Sequence, residues 1–206
     1  MDRKRLREKL MKKTQTEIAE NLAGAEVHII KAVKLISDLD AVSNLLKENV
    51  IDWEKRNPGE GAIKMLDQLK QNQISIETEK QELTNFIEKE MDKELPVFAS
   101  VAGAVLGAKI LAQAGSKKRL AFLPASTVQL LGAEKALFNH LKKQGQCPKH
   151  GHLFNHPLIQ KLPKQKRGKA ARILAGKLAI AAKMDYFGST TDIDLLGDAE
   201  KKIANL

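Results

Sequence analysis

Cysteine is almost absent from this chain of 206 residues. Cys147 stands alone, so no internal disulfide can form and a small secreted fold stapled by bridges is excluded. A reducing compartment follows, and a cytoplasmic location is expected. Long apolar runs are missing too. Leu95 to Ala108 is free of charge, but it is too short to span a bilayer, begins beside Pro96 and stops at Lys109. It reads as a buried helix, and no membrane partner is expected. Met1 to Lys13 is charged, with no apolar stretch of signal-peptide length. No segment sustains strand-like alternation, which leaves an all-α class. There is no glycine-rich phosphate loop with its lysine, no nucleophile elbow and no paired-carboxylate site.

Acidic residues are scarce in one half only. The whole chain carries 35 Lys and Arg against 25 Asp and Glu, a net of +10. Residues 1–95 hold 17 basic and 19 acidic side chains, a net of −2; residues 96–206 hold 18 and 6, a net of +12. From Lys109 to Lys183 there are 16 basic residues and a single acid, Glu134. That leaves acid–base catalysis few candidates, so no enzymatic activity is expected. It points instead to a polyanion as partner. A smaller cluster, Arg3, Lys4, Arg5, Arg7, Lys9, Lys12 and Lys13, reads as a solvated face.

What is present is helical periodicity. Apolar residues recur at Val27, Ile30, Leu35, Leu39, Val42, Leu46, Val50 and Trp53, one stripe on a long helix. Asn57-Pro58-Gly59-Glu60-Gly61 breaks it. A second stripe runs through Ala62, Leu66, Leu69, Gln73, Ile76, Lys80, Leu83 and Ile87, its polar members able to fix register. Two such helices joined by a short loop predict an antiparallel hairpin, an arm over residues 1–95 that packs on the rest of the chain or on a second copy. A compact helical domain, 96–206, follows. In it Ala99, Gly103 and Gly107 share one helical face and predict close core packing.

Ser126 or Thr127, after Leu123-Pro124-Ala125, predicts the N-cap of a helix running to about Lys143. Free backbone N–H groups there suit a phosphate, with Gln129 and Lys135 near enough to extend the site. Cys147-Pro148-Lys149-His150-Gly151-His152 and Asn155-His156-Pro157 form a loop rich in ligand types. A zinc set of Cys147, His150, His152 and His156 fits no closed pattern, and the surrounding lysines oppose a cation. No metal or other cofactor is expected; imidazoles stacking on bases or bonding to phosphate fit the charge. The run Lys161 to Arg172, including Arg167, leads into a helix ending near Phe187. On it Lys169, Arg172, Gly176 and Lys183 fall on one stripe, opposite Ile173, Leu174, Leu178, Ala181 and Met184. A membrane-surface helix fits less well, because the polar face lacks flanking bulky aromatics. The tail, 191–206, predicts one short capped helix.

Several segments then carry a resemblance. They are Leu123 to Gln129, Gly132 to Phe138, Pro148 to Gly151, His156-Pro157, Arg167 to Arg172, Lys177 to Ala182 and Asp185 to Phe187. In this order they resemble the Nop domain, a family that includes box C/D small ribonucleoprotein scaffolds and a spliceosomal pre-mRNA-processing factor. The archaeal scaffold is the nearest likeness. Ile36 to Asp40 resembles the family's coiled-coil arm more loosely.

The resemblance implies a non-enzymatic protein that binds a kink-turn RNA together with its small kink-turn-binding protein. On that basis Ser126, Gln129, Lys135, Lys149, His150, Asn155, His156, Arg167, Lys169 and Arg172 are expected to meet RNA. Ala133, Glu134 and Lys135 are expected to meet the partner protein. Lys149, Lys169 and Arg172 would neutralise phosphates, and Asn155 and His156 would contact bases or sugars. The arm would pair two copies. Larger members carry an N-terminal domain that recruits fibrillarin, and this chain begins almost at the arm, so fibrillarin is not expected as a partner. The alternative reading is a dimeric assembly or competitor protein that occupies Nop-domain sites without recruiting the methyltransferase. Lys164-Gln165-Lys166 and Cys147 replace residues usual in archaeal members, which bears on which RNA is bound.

Overall fold

A computed structural model describes residues 3–22, 24–189 and 193–206, with side chains described for all of these but 17–22. Helix α1 spans Arg3–Leu22, α2 Ala25–Glu54 and α3 Glu60–Glu94. The turn between α2 and α3 contains Asn57 at φ 49°, then Pro58 and the N-cap Gly59. Lys70 meets Glu54 at 2.7 Å and Lys80 meets Asp40 at 2.6 Å. Those pairings run in opposite senses along the two helices, so α2 and α3 lie antiparallel.

The α3 stripe faces inward position by position from Ala62 to Ile87, with Leu66 and Ile87 fully buried. On α2 the buried line is different. It runs through Ile29, Ala32, Val33, Ser43 and Val50, while Leu35 and Val42 are each 47% exposed. The expected α2 stripe thus holds at Val50, with Val27, Ile30, Leu39 and Leu46 half-buried, and fails at Leu35, Val42 and Trp53, which are exposed. A small serine at the seam lets the helices approach, and periodicity counted on large apolar residues passes over it.

Beyond Leu95, α4 (Pro96–Ala102) and α5 (Ala104–Ala114) meet at 113°. The expected single helix through this stretch is broken at Gly103, which adopts φ +79°, a conformation that favours glycine. Gly103 is thus a hinge between helices rather than part of a small-residue face. Gly107 does serve close packing: a Cβ there would lie 3.0 Å from Met91 Cε and 3.3 Å from the Phe98 ring. Among the described residues no single helix is long and apolar enough to cross a membrane.

The short helices α6 (Lys117–Phe122), α7 (Ala125–Leu130) and α9 (Pro157–Gln160) pack with α4 around α10 (Lys164–Phe187), α11 (Leu195–Ala204) closes one side, and α8 (Glu134–Leu141) stands out from this body with no buried residue. The inner face of α10 is largely alanine. Ala170, Ala171, Ala175 and Ala181 are wholly buried with Leu174 and Leu178, and small side chains let four helices reach one axis. Helix α10 ends at Gly188, φ +67°. Just before it, the Asp185 carboxylate accepts from the Val97 and Phe98 N–H groups at 3.1 and 2.7 Å, covering the free donors of α4. Burial pushes the Asp185 carboxyl up, against the pull of those two bonds.

The arm is fastened to this body. Glu26 of α2 accepts from the Lys117 N–H at 2.6 Å, and Lys117 Nζ donates to the Glu94 carbonyl at 2.6 Å. Ile29, Ile87 and Met91 enter the same core as Ile110 and Leu111. The tail helix is capped by Asp194, whose carboxylate accepts from the Gly197 N–H at 2.8 Å. Residues 191 and 192 of the expected tail lie outside the described residues.

Candidate nucleic-acid interface

The expected helix from Ser126 to Lys143 is two helices. Leu131 leaves the α-conformation, Gly132 takes φ +87°, and α8 starts at Glu134. Its N-terminal neighbour α7 is capped by Pro124, and neither Ser126 nor Thr127 makes a capping bond. Ser126 is an exposed residue of the first turn, beside a cleft of about 380 Å³ that it shares with Gln113, Arg119, Thr127, Leu130 and Glu134. Hydrophobic periodicity runs through the break because Leu130 and Leu137, like Leu131 and Phe138, stand seven residues apart.

The break exists because the histidine loop docks on it. The Gly151 N–H donates to the Gln129 carbonyl at 2.9 Å and the His152 N–H to the Leu131 carbonyl at 2.7 Å. A Cβ on Gly151 would collide with the Leu131 carbonyl oxygen, and a Cβ on Gly132 would sit 2.5 Å from the His152 ring. Gly151 thus lets two backbones cross closely, and Gly132 leaves room for the His152 ring. Gln129 completes the joint: its side-chain amide donates to the Lys149 carbonyl at 2.6 Å. Gln129, expected to meet RNA, fixes the loop that carries Lys149.

His156 also departs from its expected role. It is 6% exposed. Its Nε2 lies 3.1 Å from the Val101 carbonyl, and its Nδ1 accepts from the Leu158 N–H at 3.2 Å. These are an orphan acceptor near the end of α4 and an orphan donor at the start of α9. The pairing assigns a neutral ring with its proton on Nε2. Burial holds its pKa below the usual histidine value. His156 is a joint between helices and cannot reach a base or sugar. Asn155, next to it, is exposed and borders a small hollow with Val105, Leu106 and Lys109.

His150 and Arg167 come together on Phe154, a residue the sequence did not single out. The His150 ring stacks on Phe154 at 5.0 Å and 21°. The Arg167 guanidinium sits 5.3 Å from the same ring, a cation–π contact. Arg167 Nε also donates to the Leu162 carbonyl at 2.8 Å. Burial first, then the neighbouring positive charges of Arg167 and Lys149, push the His150 pKa down. Cys147 is exposed. Among the described residues no group of three or more His, Cys, Asp or Glu is placed to hold a metal ion.

Glu134, the lone acid of the basic block, is held by neutral groups. It accepts from the Gly132 N–H and from the Gln113 amide, both at 2.9 Å. Burial pushes its carboxyl up, but these donors, its own N–H and His152 leave it below the ordinary range. It also sits at the first position of α8, where the helix dipole favours an anion. It therefore makes no ion pair with the described basic side chains around it. Lys135, Lys149, Lys169 and Arg172 are exposed and have no acidic partner among the described residues. Lys149 packs against α10, with its Cβ 3.3 Å from where a Cβ on Gly168 would stand, so loop and stripe form one surface. Beside it, Ala133 and Lys135 flank Glu134, and Phe138 and Leu141 of α8 are 64% and 68% exposed.

An all-helical body thus carries Lys149, Lys169 and Arg172 exposed and without an acidic partner among the described residues, an arrangement that suits a polyanion. A family model described as the Nop snoRNA binding domain, with fibrillarin in its description, matches residues 9–205. The chain belongs to the Nop family. An archaeal NOP5 family protein of Methanocaldococcus jannaschii is 49% identical over 127 residues, 62% of this chain and 31% of that protein. Nucleolar protein 56 of Dictyostelium discoideum is 35% identical over 182 residues, 79% of this chain and 33% of that protein. The chain thus spans about a third of the length of these curated relatives. A solved fibrillarin/Nop5p complex contains a chain that matches 98% of this one, and 78% of its own length, with TM-score 0.74 and 32% identity. The expectation that fibrillarin is not a partner gains no support from these likenesses, two of which carry its name. The competitor reading shares that basis.

Proposed function

We propose that this chain is the RNA-binding module of a box C/D-type ribonucleoprotein and recognises a kink-turn RNA together with its small kink-turn-binding protein. The observation that carries the reading is the unpaired basic face of Lys149, Lys169 and Arg172 on a rigid joint, in a chain of a snoRNA-binding family. Lys149, Lys169 and Arg172 neutralise phosphates, with Lys135 at the α8 end of the same face. His150 and Arg167, aligned on Phe154, and the exposed Ser126 and Asn155 contact sugar or base. The small protein docks on Ala133, Glu134 and Lys135, with Phe138 and Leu141 as its apolar anchors. Fibrillarin is a further partner of the assembly, as the solved complex supports. The exposed apolar side chains of the arm, Leu35, Val42 and Leu45 among them, support self-association there. The place of action is the cytoplasm.

The test is a gel shift with kink-turn RNA bearing its small protein. Lys169→Glu with Arg172→Glu abolishes binding while helicity and melting temperature stay at wild-type values. Unchanged affinity in that double variant would overturn the assignment.

A further inference from the structure

Eight aromatic residues are present in the whole chain, and three of them meet at one place outside the surface described above. Phe122 closes α6, and Tyr186 and Phe187 close α10. Phe122 lies 5.8 Å from Tyr186 at 70° and 6.0 Å from Phe187 at 80°, and Tyr186 lies 5.1 Å from Phe187 at 84°. This edge-to-face cluster is favourable, yet it is not buried: Phe122 is 61% and Phe187 62% exposed. Core packing does not account for rings so open to water.

Their surroundings are basic. Lys118 precedes Phe122 by one turn on the same side of α6, and Lys183 precedes Phe187 by one turn on α10. Both lysines are exposed, with no acidic partner among the described residues. The adjacent carboxylate, Asp185, is turned inward onto the Val97 and Phe98 N–H groups. Continuing the outer stripe of α10 at helical spacing, Lys169, Arg172, Gly176 and Lys183 lead to Phe187. The distance from Lys169 to Phe187 along the axis is about 27 Å. A track of positive charge that ends on open ring faces has the makings of a single-strand site: charge follows the backbone and aromatics stack the bases.

We propose that Phe122 and Phe187 form a stacking platform for unpaired nucleotides of the RNA that lies along α10. The inference rests on the RNA-binding reading above and adds a second, single-stranded contact at the far end of the helix. Charge complementarity favours a nucleic acid over an apolar protein segment here, since each open ring is paired with a free lysine.

The test uses fluorescence anisotropy with two probes, an oligoadenylate of about ten nucleotides, within the site sizes of single-strand binders, and a blunt RNA duplex of similar length. Phe122→Ala and Phe187→Ala each weaken the single strand by about tenfold per lost stack and leave the duplex unchanged. The high exposure of both rings keeps the fold intact, which a thermal melt checks. Phe→Trp at either position restores binding, and Phe→Leu does not. Equal losses on both probes, no loss on either, or rescue by Leu overturns the platform, the last result pointing to an apolar protein partner. If the duplex binds and Lys169→Glu abolishes it while the two Phe→Ala variants bind the single strand normally, the RNA reading stands and the platform falls. If wild-type protein binds neither probe nor kink-turn RNA, both fall.

Discussion

Replacing His156 by Ala separates two roles that the sequence alone could not. A ligand-contacting histidine would lose RNA affinity and keep its stability; the joint seen here predicts the reverse order of damage. The ring satisfies the buried Val101 carbonyl and the part-buried Leu158 N–H, both at helix ends. Each group left unpaired costs about 1–3 kcal/mol, and the lost cap of α9 lies within that same range. The sum is about 2–6 kcal/mol, a large share of the 5–15 kcal/mol that holds a domain of this kind together. For a chain of this length each kcal/mol moves the melting temperature by about 2–4 °C, so His156→Ala should melt roughly 4–24 °C below wild type by circular dichroism. At a temperature where the variant is still folded, its RNA affinity should stay within a few-fold of wild type. A variant that melts within about 2 °C of wild type and loses RNA binding would refute the reasoning.

Burial pushes His150, His152 and His156 all downward. The folded protein keeps these rings neutral where the unfolded chain, with histidines near 6.5, takes up protons. Stability is therefore full above about pH 6.5 and falls as pH drops from there toward the folded values. Urea midpoints at pH 7.5 and 5.5 check the sign, and an unchanged or higher midpoint at 5.5 contradicts it. In the arm, the Ser43 hydroxyl is buried without a hydrogen-bond partner. Ser43→Ala removes that desolvated group and should stabilise by up to about 1 kcal/mol; a loss of stability in a denaturant melt would mean that the hydroxyl is satisfied.

Long-range order was legible wherever periodicity alone decides it. The α3 stripe from Ala62 to Ile87 could be read residue by residue, even to the polar Lys80, which turns out to hold Asp40 across the hairpin. Periodicity failed where backbone conformation decides. Gly103 and Gly132 both break helices at positive φ, but apolar spacing continues across them and hides the break. The charge block was legible because solvation keeps lysines outside in nearly any fold. The assignment of single residues within it was not. Gln129 and His156 are as polar as Lys149, and only the packing of the loop decides that both bond to backbone groups and that His156 is buried. Phe154 gave no signal in isolation, because its importance comes from His150 and Arg167 arriving from either side in the chain. Asp185 likewise acts across 87 residues of sequence on Phe98, a distance no local pattern reports.

The central claim is that unpaired cations on one face neutralise RNA phosphates, and the salt dependence of affinity measures this directly. Titrating binding to kink-turn RNA bearing its small protein, in wild type and in Lys149→Gln/Lys169→Gln/Arg172→Gln, gives two slopes of log affinity against log salt. Each phosphate contact contributes somewhat less than one unit, so the triple variant should be shallower by about 2–3 units. Parallel lines, with equal slopes in both proteins, would show that these three side chains do not meet phosphate.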